Sequence, residues 1–364
     1  MAFCSFCKVV SKKQLKSCVC GKTFYCSKEC QAKDWKSHKP SCPPYVIRES
    51  PGKGRGLFAT RKIKEGQVII EEYPLLTLGG EWSLEQFGAD CFPNIEEETK
   101  AEILQLHDPA ENIKKLDSKT VEKMVNKNPG MILDKDGKTD KISKIFRIFT
   151  CNAVQLCGDS DVHSQTSERG LYDKISRINH SCVPNTTTSW VTGDLQRKQV
   201  RALMTIEKDQ EILVSHQNMS EFLCSSREFR QQELLETYGF LCECSECSLE
   251  GEDLQESDRM RAEFWEKEEE IRQLVTCEGS NPVPRRDMKK AMKVAQRRVK
   301  LIQKLNLRNG VVGAMLNFYH FAVMARDMGV ASENDPDIYK QEAWKYAKMF
   351  GDRYILLYNK SIYS

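Results

Sequence analysis

The chain has 364 residues, of which 40% are hydrophobic and 29% are charged, and its formal net charge is +3. This composition is ordinary for a globular protein, and the length allows two or three domains. No run of about 18 apolar residues is present, which argues against a membrane span, and residues 1–10 lack the charged start and apolar core of a secretory signal. We therefore expect a protein of the cytoplasm and nucleus that makes no membrane contact.

The N-terminal part of the chain is basic. Residues 1–64 carry 15 Lys and Arg against three Asp and Glu, a net charge of +12, and the remainder carries −9. If seven thiolates in this part bind two zinc ions, the net charge falls to +9 and a basic face remains. Such a face suits nucleic acid or an acidic protein as a partner, and an ordinary solvated surface is the alternative.

The first 42 residues have the spacing of a zinc module. Their cysteines and histidine form the pairs Cys4-x2-Cys7, Cys18-x-Cys20, Cys26-x3-Cys30 and His38-x3-Cys42. Structural zinc takes four nitrogen or sulfur ligands, so eight ligands fit two ions. A segment this short needs metal to fold, because its apolar core is too small. The alternative is a set of reduced thiols packed as small apolar residues.

The run FYCSKECQAKDWKSHKPSC resembles the MYND zinc finger. The resemblance implies interleaved ligation, in which one ion is held by Cys4, Cys7, Cys26 and Cys30. It implies that the second ion is held by Cys18, Cys20, His38 and Cys42. The Cys18-x-Cys20 pair is one residue shorter than is usual in the family. Such fingers are protein-interaction modules, so a proline-containing peptide is an implied partner.

Five further segments follow the Pro43-Pro44 boundary in a fixed order. They are GKGRGLFA (52–59), TCNAVQL (150–156), ISRINHSCVPN (175–185), EILVSH (211–216) and ETYGFLCECSEC (236–247). Together they resemble the SET domain of protein-lysine methyltransferases, and with the finger they resemble the SET and MYND domain family. The resemblance implies an enzyme that uses S-adenosylmethionine to methylate lysine in histone or non-histone proteins.

Eight residues match donor-contact positions of the family: Lys53, Gly54, Arg55, Asn152, Ser176, Asn179, His180 and Phe240. The resemblance places residues 53–55 along the methionine part of the donor and Phe240 over its adenine. Glycine at positions 54 and 56 would let the backbone approach the donor closely. His180 would contact the donor through its backbone. The alternative for His180 is a core histidine held by hydrogen bonds, and the alternative for Phe240 is plain packing in the core.

A third zinc site is expected from the distant set Cys182, Cys242, Cys244 and Cys247, which brings the expected number of zinc ions to three. Inert thiols are the alternative here as well. The remaining thiols are expected to have no role: Cys91, Cys151, Cys157, Cys224 and Cys277.

Two residues are expected at the lysine channel, Tyr238 and His216. The family usually has tyrosine at both positions, so His216 is a departure. An imidazole can also hydrogen-bond an amine, but it protonates near pH 6.5. KDQE (208–211) is a second departure, because the family prefers a glycine and paired acids there. The alternative function is therefore a weak or inactive adaptor that binds protein partners in transcription regulation.

The expected architecture is α+β and monomeric, in four parts. These are a MYND finger (1–42), a β-rich SET domain (43–238) with a helical insert at about 80–150, a zinc-bound post-SET segment (239–250) and an all-α tail of helical hairpins (251–364). Apolar residues recur at helical spacing in the tail, as at Met288, Met292, Ala295, Val299 and Ile302. The polar run at 134–140 is expected to be a solvated turn rather than a calcium loop, since it lacks the spacing and the terminal glutamate.

Overall fold

The computed structural model describes residues 3–350 apart from 10–14, 19, 21, 81, 114–115, 128–140, 156–167, 192–193, 218–219, 275–282, 309–310 and 331–335. The predicted turn at 134–140, Cys157, Cys277 and residues 351–364 of the predicted tail lie outside this range. None of the helices in the described part is both long and apolar enough to cross a membrane.

The N-terminal finger is a small hairpin followed by one helix. Strands β1 (Lys16–Ser17) and β2 (Phe24–Tyr25) pair antiparallel, and α1 spans Lys28–His38. The Ser27 hydroxyl begins the helix by accepting a hydrogen bond from the Cys30 backbone N–H. Among its described residues the finger has a small apolar core: Cys4, Cys18, Tyr25 and Cys42. A core of this size agrees with the expectation that metal stabilises this part.

Four strands begin the β-rich domain. They are β3 (Tyr45–Ser50), β4 (Gly54–Ala59), β5 (Val68–Glu72) and β6 (Leu76–Leu78). β3 and β4 form an antiparallel hairpin, and its turn contains Gly52 and Gly54, both with positive φ. The hairpin therefore places residues 52–54 at its tip.

Helices form the insert between the two halves of the β-rich domain. They are α2 (Leu84–Gln86), α3 (Glu97–Ile103), α4 (Ala110–Ile113), α5 (Ser118–Lys127) and α6 (Lys141–Asn152), with a π-helix at Phe87–Cys91 and a 3₁₀ turn at Phe92–Asn94. α6 packs on the others through a run of five consecutive buried residues, Ile145–Phe149. Strands β7 (Val154–Gln155) and β8 (Arg169–Leu171) return the chain to the sheets.

The second half of the β-rich domain contains the strands that organise the site. They are β9 (Asn179–His180), β10 (Thr186–Val191), β11 (Asp194–Ala202) and β12 (Glu211–Val214), followed by helices α7 (Ser220–Cys224) and α8 (Arg227–Tyr238). In the described residues the sheets of this domain have the strand orders β10-β11-β5, β3-β4-β12-β9 and β6-β8-β7. β9 and β12 pair in parallel, with Leu213 beside Asn179 and Val214 beside His180. This pairing brings together two segments that are far apart in sequence.

The C-terminal part is helical, as expected. Its helices are α9 (Gly251–Leu274), α10 (Met288–Lys304), α11 (Val311–Asp327) and α12 (Pro336–Phe350). The apolar stripe of α10 is buried in a core that also includes the cysteines at 182, 242, 244 and 247. The α+β class with a finger, a β-rich domain and a helical tail is thus confirmed, while the domain bounds stay predictions.

Candidate active site and metal centres

A cavity of about 490 Å³ lies where the β3–β4 turn, the insert, β9 and the segment after α8 meet. All eight residues predicted to contact the donor line it, and so do the two predicted channel residues: Lys53, Gly54, Arg55, Asn152, Ser176, Asn179, His180, His216, Tyr238 and Phe240. The structure therefore brings the predicted site residues together around one space.

Glu211 fixes one wall of this cavity. Its Oε1 accepts a hydrogen bond of 2.7 Å from Asn179 Nδ2, and its Oε2 lies 3.5 Å from Lys53 Nζ. With the amide nitrogen held in this way, the carbonyl oxygen of Asn179 remains as the acceptor for a ligand N–H. In the sequence, Glu211 stands out only as the last residue of the unusual KDQE segment, and nothing there indicates this role.

Gly56 is required for this contact, which differs from the role expected for it. Gly54 lines the cavity with φ 72°, but Gly56 does not line it. A Cβ at Gly56 would lie 2.4 Å from Glu211 Oε1 and 2.7 Å from Asn179 Nδ2. The absent side chain thus leaves room for the Glu211–Asn179 pair and not for the donor itself.

The insert supplies a second wall, which was not predicted from the sequence. Leu106, His107 and Asp108 line the cavity. Asn152 Nδ2 donates to the His107 carbonyl at 2.9 Å, and Arg147 binds both carboxylate oxygens of Asp108 at 2.7 and 2.8 Å. An arginine inside the apolar run IFRIF was the available signal, since a buried guanidinium requires an acidic or carbonyl partner.

The other end of the cavity is aromatic. The ring of His216 lies 5.3 Å from that of Tyr238 and 6.3 Å from that of Phe240, centroid to centroid. Gly239 ends α8 in the left-handed conformation, with φ 76°, so the chain turns sharply between the two aromatic residues. This turn places both rings on the same cavity.

The hydrogen bonds at this end indicate neutral side chains. His216 Nε2 lies 2.9 Å from the Ile178 carbonyl, which can only accept, so Nε2 carries the proton and Nδ1 the lone pair. Burial lowers the pKa of His216 below its usual 6.5. The Tyr238 hydroxyl donates to the His216 carbonyl at 3.2 Å, and burial raises its pKa to about 12. No charge from these two residues faces the cavity near pH 7.

The finger assembles two groups of possible zinc ligands. Cys4, Cys7, Cys26 and Cys30 form one group, and Cys18, Cys20, His38 and Cys42 form the other. Sulfur–sulfur distances are 3.7 Å for Cys7–Cys26 and 3.8 Å for Cys18–Cys42. Tetrahedral zinc with bonds of about 2.3 Å separates its sulfur ligands by about 3.8 Å, so both groups fit the ion. These are the two interleaved sets that the family resemblance implies.

A third group, which we name the C-terminal thiol cluster, comprises Cys182, Cys242, Cys244 and Cys247, all buried. The Cys182 and Cys247 sulfurs lie 3.6 Å apart, which also fits tetrahedral zinc. The fully buried Arg230 places Nη2 3.9 Å from the Cys247 sulfur. Its positive charge would partly balance four thiolates around one divalent ion.

The remaining described cysteines are Cys91, Cys151 and Cys224. Cys151 lines the cavity, but burial raises its pKa to about 12, as it does for Cys224. Thiols of such high pKa are protonated and unreactive at neutral pH.

Comparison with known proteins agrees with this geometry. Residues 4–42 match the MYND finger family and residues 54–217 match the SET domain family. The histone-lysine N-methyltransferase ASHR1 of Arabidopsis thaliana is 30% identical over 249 residues, which cover 67% of this chain and 46% of that protein. The N-lysine methyltransferase SMYD2 of Homo sapiens is 24% identical over 363 residues, which cover 98% of this chain and 74% of that protein.

Among solved structures, the SET domain of LSMT bound to lysine and AdoHcy is 13% identical and covers 92% of both chains, with a TM-score of 0.30. A MYND finger precedes a SET domain here, and the match to the human N-lysine methyltransferase runs through both and on through the helical tail, over 98% of this chain. The chain belongs to the SET and MYND domain family.

Proposed function

We propose that this protein transfers a methyl group from S-adenosylmethionine to the side-chain amine of a lysine in another protein. The observation that carries the proposal is the composition of the cavity described above. One end holds charged and amide groups suited to an amino acid, and the other end holds neutral aromatic rings suited to an apolar channel. Family membership supports the same reaction.

The polar end fits the methionine part of the donor. The Asn179 carbonyl oxygen suits the donor's ammonium group, while Lys53 and Arg55 suit its carboxylate. Phe240 offers a ring face for the adenine. A volume of about 490 Å³ lies within the range of pockets that hold molecules of this size.

The aromatic end suits the nucleophile. In the reaction, the lysine nitrogen forms a bond to the methyl carbon while the bond between that carbon and the sulfur breaks. The electron pair of the broken bond stays on the sulfur, which becomes a neutral thioether, and the positive charge passes to the methylated nitrogen. The amine must be neutral to attack, although the pKa of free lysine is about 10.4. Burial among neutral rings, close to the donor's positive sulfur, favours the neutral amine. Alignment and the exclusion of water would supply much of the rate.

His216 would replace one of the two phenols that the family usually has at the amine. With Nε2 bound to the Ile178 carbonyl, Nδ1 is an acceptor for an amine N–H. Tyr238 is held against the His216 carbonyl, so the two residues would act as one unit around the amine. A phenol offers both a donor and an acceptor, whereas this imidazole offers its acceptor alone.

The test is transfer of a labelled methyl group to a broad lysine-peptide array, with histones and a cell lysate as further substrates. We expect wild-type transfer, a loss of about tenfold in Tyr238→Phe, as for one hydrogen bond, and a changed rate or product methylation state in His216→Tyr. Thr237→Ser, at the neighbouring position of α8, is the matched control. Donor binding without transfer by either wild type or His216→Tyr would instead support the adaptor.

We further propose that the protein holds three zinc ions, one in each of the three ligand groups. The support is that each group brings four ligand atoms within 4.8 Å of one another. Elemental analysis of the purified protein should give close to three zinc per chain, and Cys182→Ser should give close to two. Cys151→Ser is the control and should leave the zinc content unchanged. Two ions in the wild type would contradict the proposal.

The finger also supports a protein-binding role. Four of its apolar residues have 40–59% of their surface exposed: Phe3, Phe6, Val9 and Phe24. We propose that they bind a protein segment, with proline-containing peptides as the first probe. Phe24→Ser should abolish capture of a proline-rich peptide without loss of zinc. Equal binding by the variant, or binding of nucleic acid alone through the basic N-terminal face, would overturn this assignment.

A further inference from the structure

The side chain of His180 is buried between the C-terminal thiol cluster and the aromatic end of the cavity. It is 4% exposed. Its ring centroid lies 5.4 Å from that of His216, 6.0 Å from that of Phe222 and 6.1 Å from that of Phe240. The family resemblance implies a donor contact through the backbone of His180, and the alternative was a core histidine held by hydrogen bonds.

Two hydrogen bonds determine which ring nitrogen of His180 carries the proton. The His216 backbone N–H lies 3.0 Å from Nδ1 of His180. A backbone N–H can only donate, so Nδ1 holds the lone pair and the proton of the neutral ring is on Nε2. That nitrogen lies 3.5 Å from the Cys182 sulfur, which accepts as a thiolate when zinc is bound. The imidazole therefore connects a zinc ligand to the backbone of a channel residue.

His216 is held at three points, and this bond is one of them. Its backbone N–H binds His180, its carbonyl accepts from the Tyr238 hydroxyl, and its Nε2 binds the Ile178 carbonyl. The parallel β9–β12 pairing ends just before this residue, at Val214. Beyond the strand, the His180 side chain thus holds the backbone N–H of His216, the residue whose carbonyl accepts the hydrogen bond from Tyr238.

We propose that His180 is a positioning residue that couples the C-terminal thiol cluster to the lysine channel. This inference rests on the proposed methyl transfer. Zinc bound to Cys182 would fix the Nε2 end of the ring. The ring in turn would fix the position of the His216 backbone, including the carbonyl that accepts from Tyr238. Partners of this kind orient metal ligands, and their loss typically weakens metal binding by about 10–100-fold.

Two substitutions separate the two ends of the ring. In His180→Asn, Oδ1 occupies the place of Nδ1 and keeps the acceptor for the His216 N–H, but nothing reaches Cys182. In His180→Gln, Nε2 keeps a donor for the Cys182 sulfur, but the acceptor is lost. The control is Phe222→Leu, which changes packing against the imidazole and leaves both hydrogen bonds in place.

Three measurements are needed: the rate of zinc loss to a chromophoric chelator, kcat and KM for S-adenosylmethionine, and imidazole nitrogen NMR shifts. We expect His180→Asn to lose one zinc at least about tenfold faster than the wild type, with the smaller fall in kcat. We expect His180→Gln to keep its zinc and to lose about tenfold in kcat with little change in KM. The wild-type spectrum should show His180 protonated on Nε2.

Equal losses of zinc and of kcat in both variants and in Phe222→Leu would overturn the proposal, because packing alone would then explain them. A spectrum showing His180 protonated on Nδ1 would also overturn it. The zinc and NMR measurements do not need catalysis. If the wild type transfers no methyl group, the proposed function fails, while these two measurements still decide whether His180 connects Cys182 to His216.

Discussion

Gly56→Ala tests the arrangement of the donor wall most directly. The added Cβ would lie 2.4 Å from Glu211 Oε1, closer than carbon and oxygen can approach, so the carboxylate must move. Moving it lengthens the 2.7 Å bond to Asn179, and a hydrogen bond to a charged group contributes about 1.5–3 kcal/mol. Replacing glycine in an unstrained conformation returns about 0.4–1 kcal/mol through the unfolded state. The net loss should be about 1–2 kcal/mol.

Two assays measure this loss. Denaturant unfolding should show the decrease in the free energy of unfolding, and calorimetry should show roughly tenfold weaker binding of S-adenosylmethionine, about 1.4 kcal/mol, because Asn179 is no longer held. The matched experiment places Gly56→Ala in a Glu211→Ala background, where the carboxylate is gone and the Asn179 amide, 2.7 Å from the added Cβ, is no longer held and can turn away. There the glycine substitution should cost nothing or stabilise slightly. An equal cost in both backgrounds would refute the steric argument.

The other predictions concern pH, backbone strain and the insert wall. Burial lowers the pKa values of His216 and His107 below 6.5, so in mildly acidic solution the unfolded chain binds more protons than the folded one. The free energy of unfolding and the rate of methyl transfer should therefore fall below pH 6.5. His216→Tyr should make both decreases smaller. Asp209 has φ 67° and lies in the turn where the family prefers glycine. Asp209→Gly should raise the free energy of unfolding by about 0.5 kcal/mol. A decrease would show that the side-chain contacts of Asp209 matter more than its backbone strain. Arg147→Lys cannot bind both oxygens of Asp108, so thermal unfolding should show a loss of about 1–3 kcal/mol, together with weaker donor binding; an unchanged melting temperature would contradict the role given to this pair.

The sequence could predict those parts of the site in which spacing along the chain determines the chemistry. Pairs such as Cys4 and Cys7 lie on one local turn, so their spacing already indicates a shared ion. The place of His216 at the channel could also be predicted, because the residues before it in EILVSH (211–216) match the family's pattern. Where it points depends on Ile178 and His180, which reach it through the parallel strand pairing.

Contacts between distant segments could not be read in this way. Glu211 lies 32 residues from Asn179, and only the sheet register brings the carboxylate to the amide. Gly56 was grouped with its neighbour Gly54 as a glycine expected to lie close to the donor, yet only Gly54 lines the cavity and the two face different surroundings. The wall formed by His107 and Asp108 depends on how α6 packs, which its apolar periodicity alone does not determine.

The parallel pairing of β9 with β12 has a consequence for the order of events during synthesis. Its two strands are separated by the whole β10–β11 hairpin, and the cysteines that hold the next segment extend to Cys247. Chains emerge at about 5–20 residues per second, and contacts of long sequence separation form late because the loop between them must close first. The nascent polypeptide therefore lacks a complete cavity until residue 243, the last that lines it, is available. A fragment ending at residue 217 would contain every strand of the β-rich domain and would still expose the apolar face that α8 and the last cysteines cover.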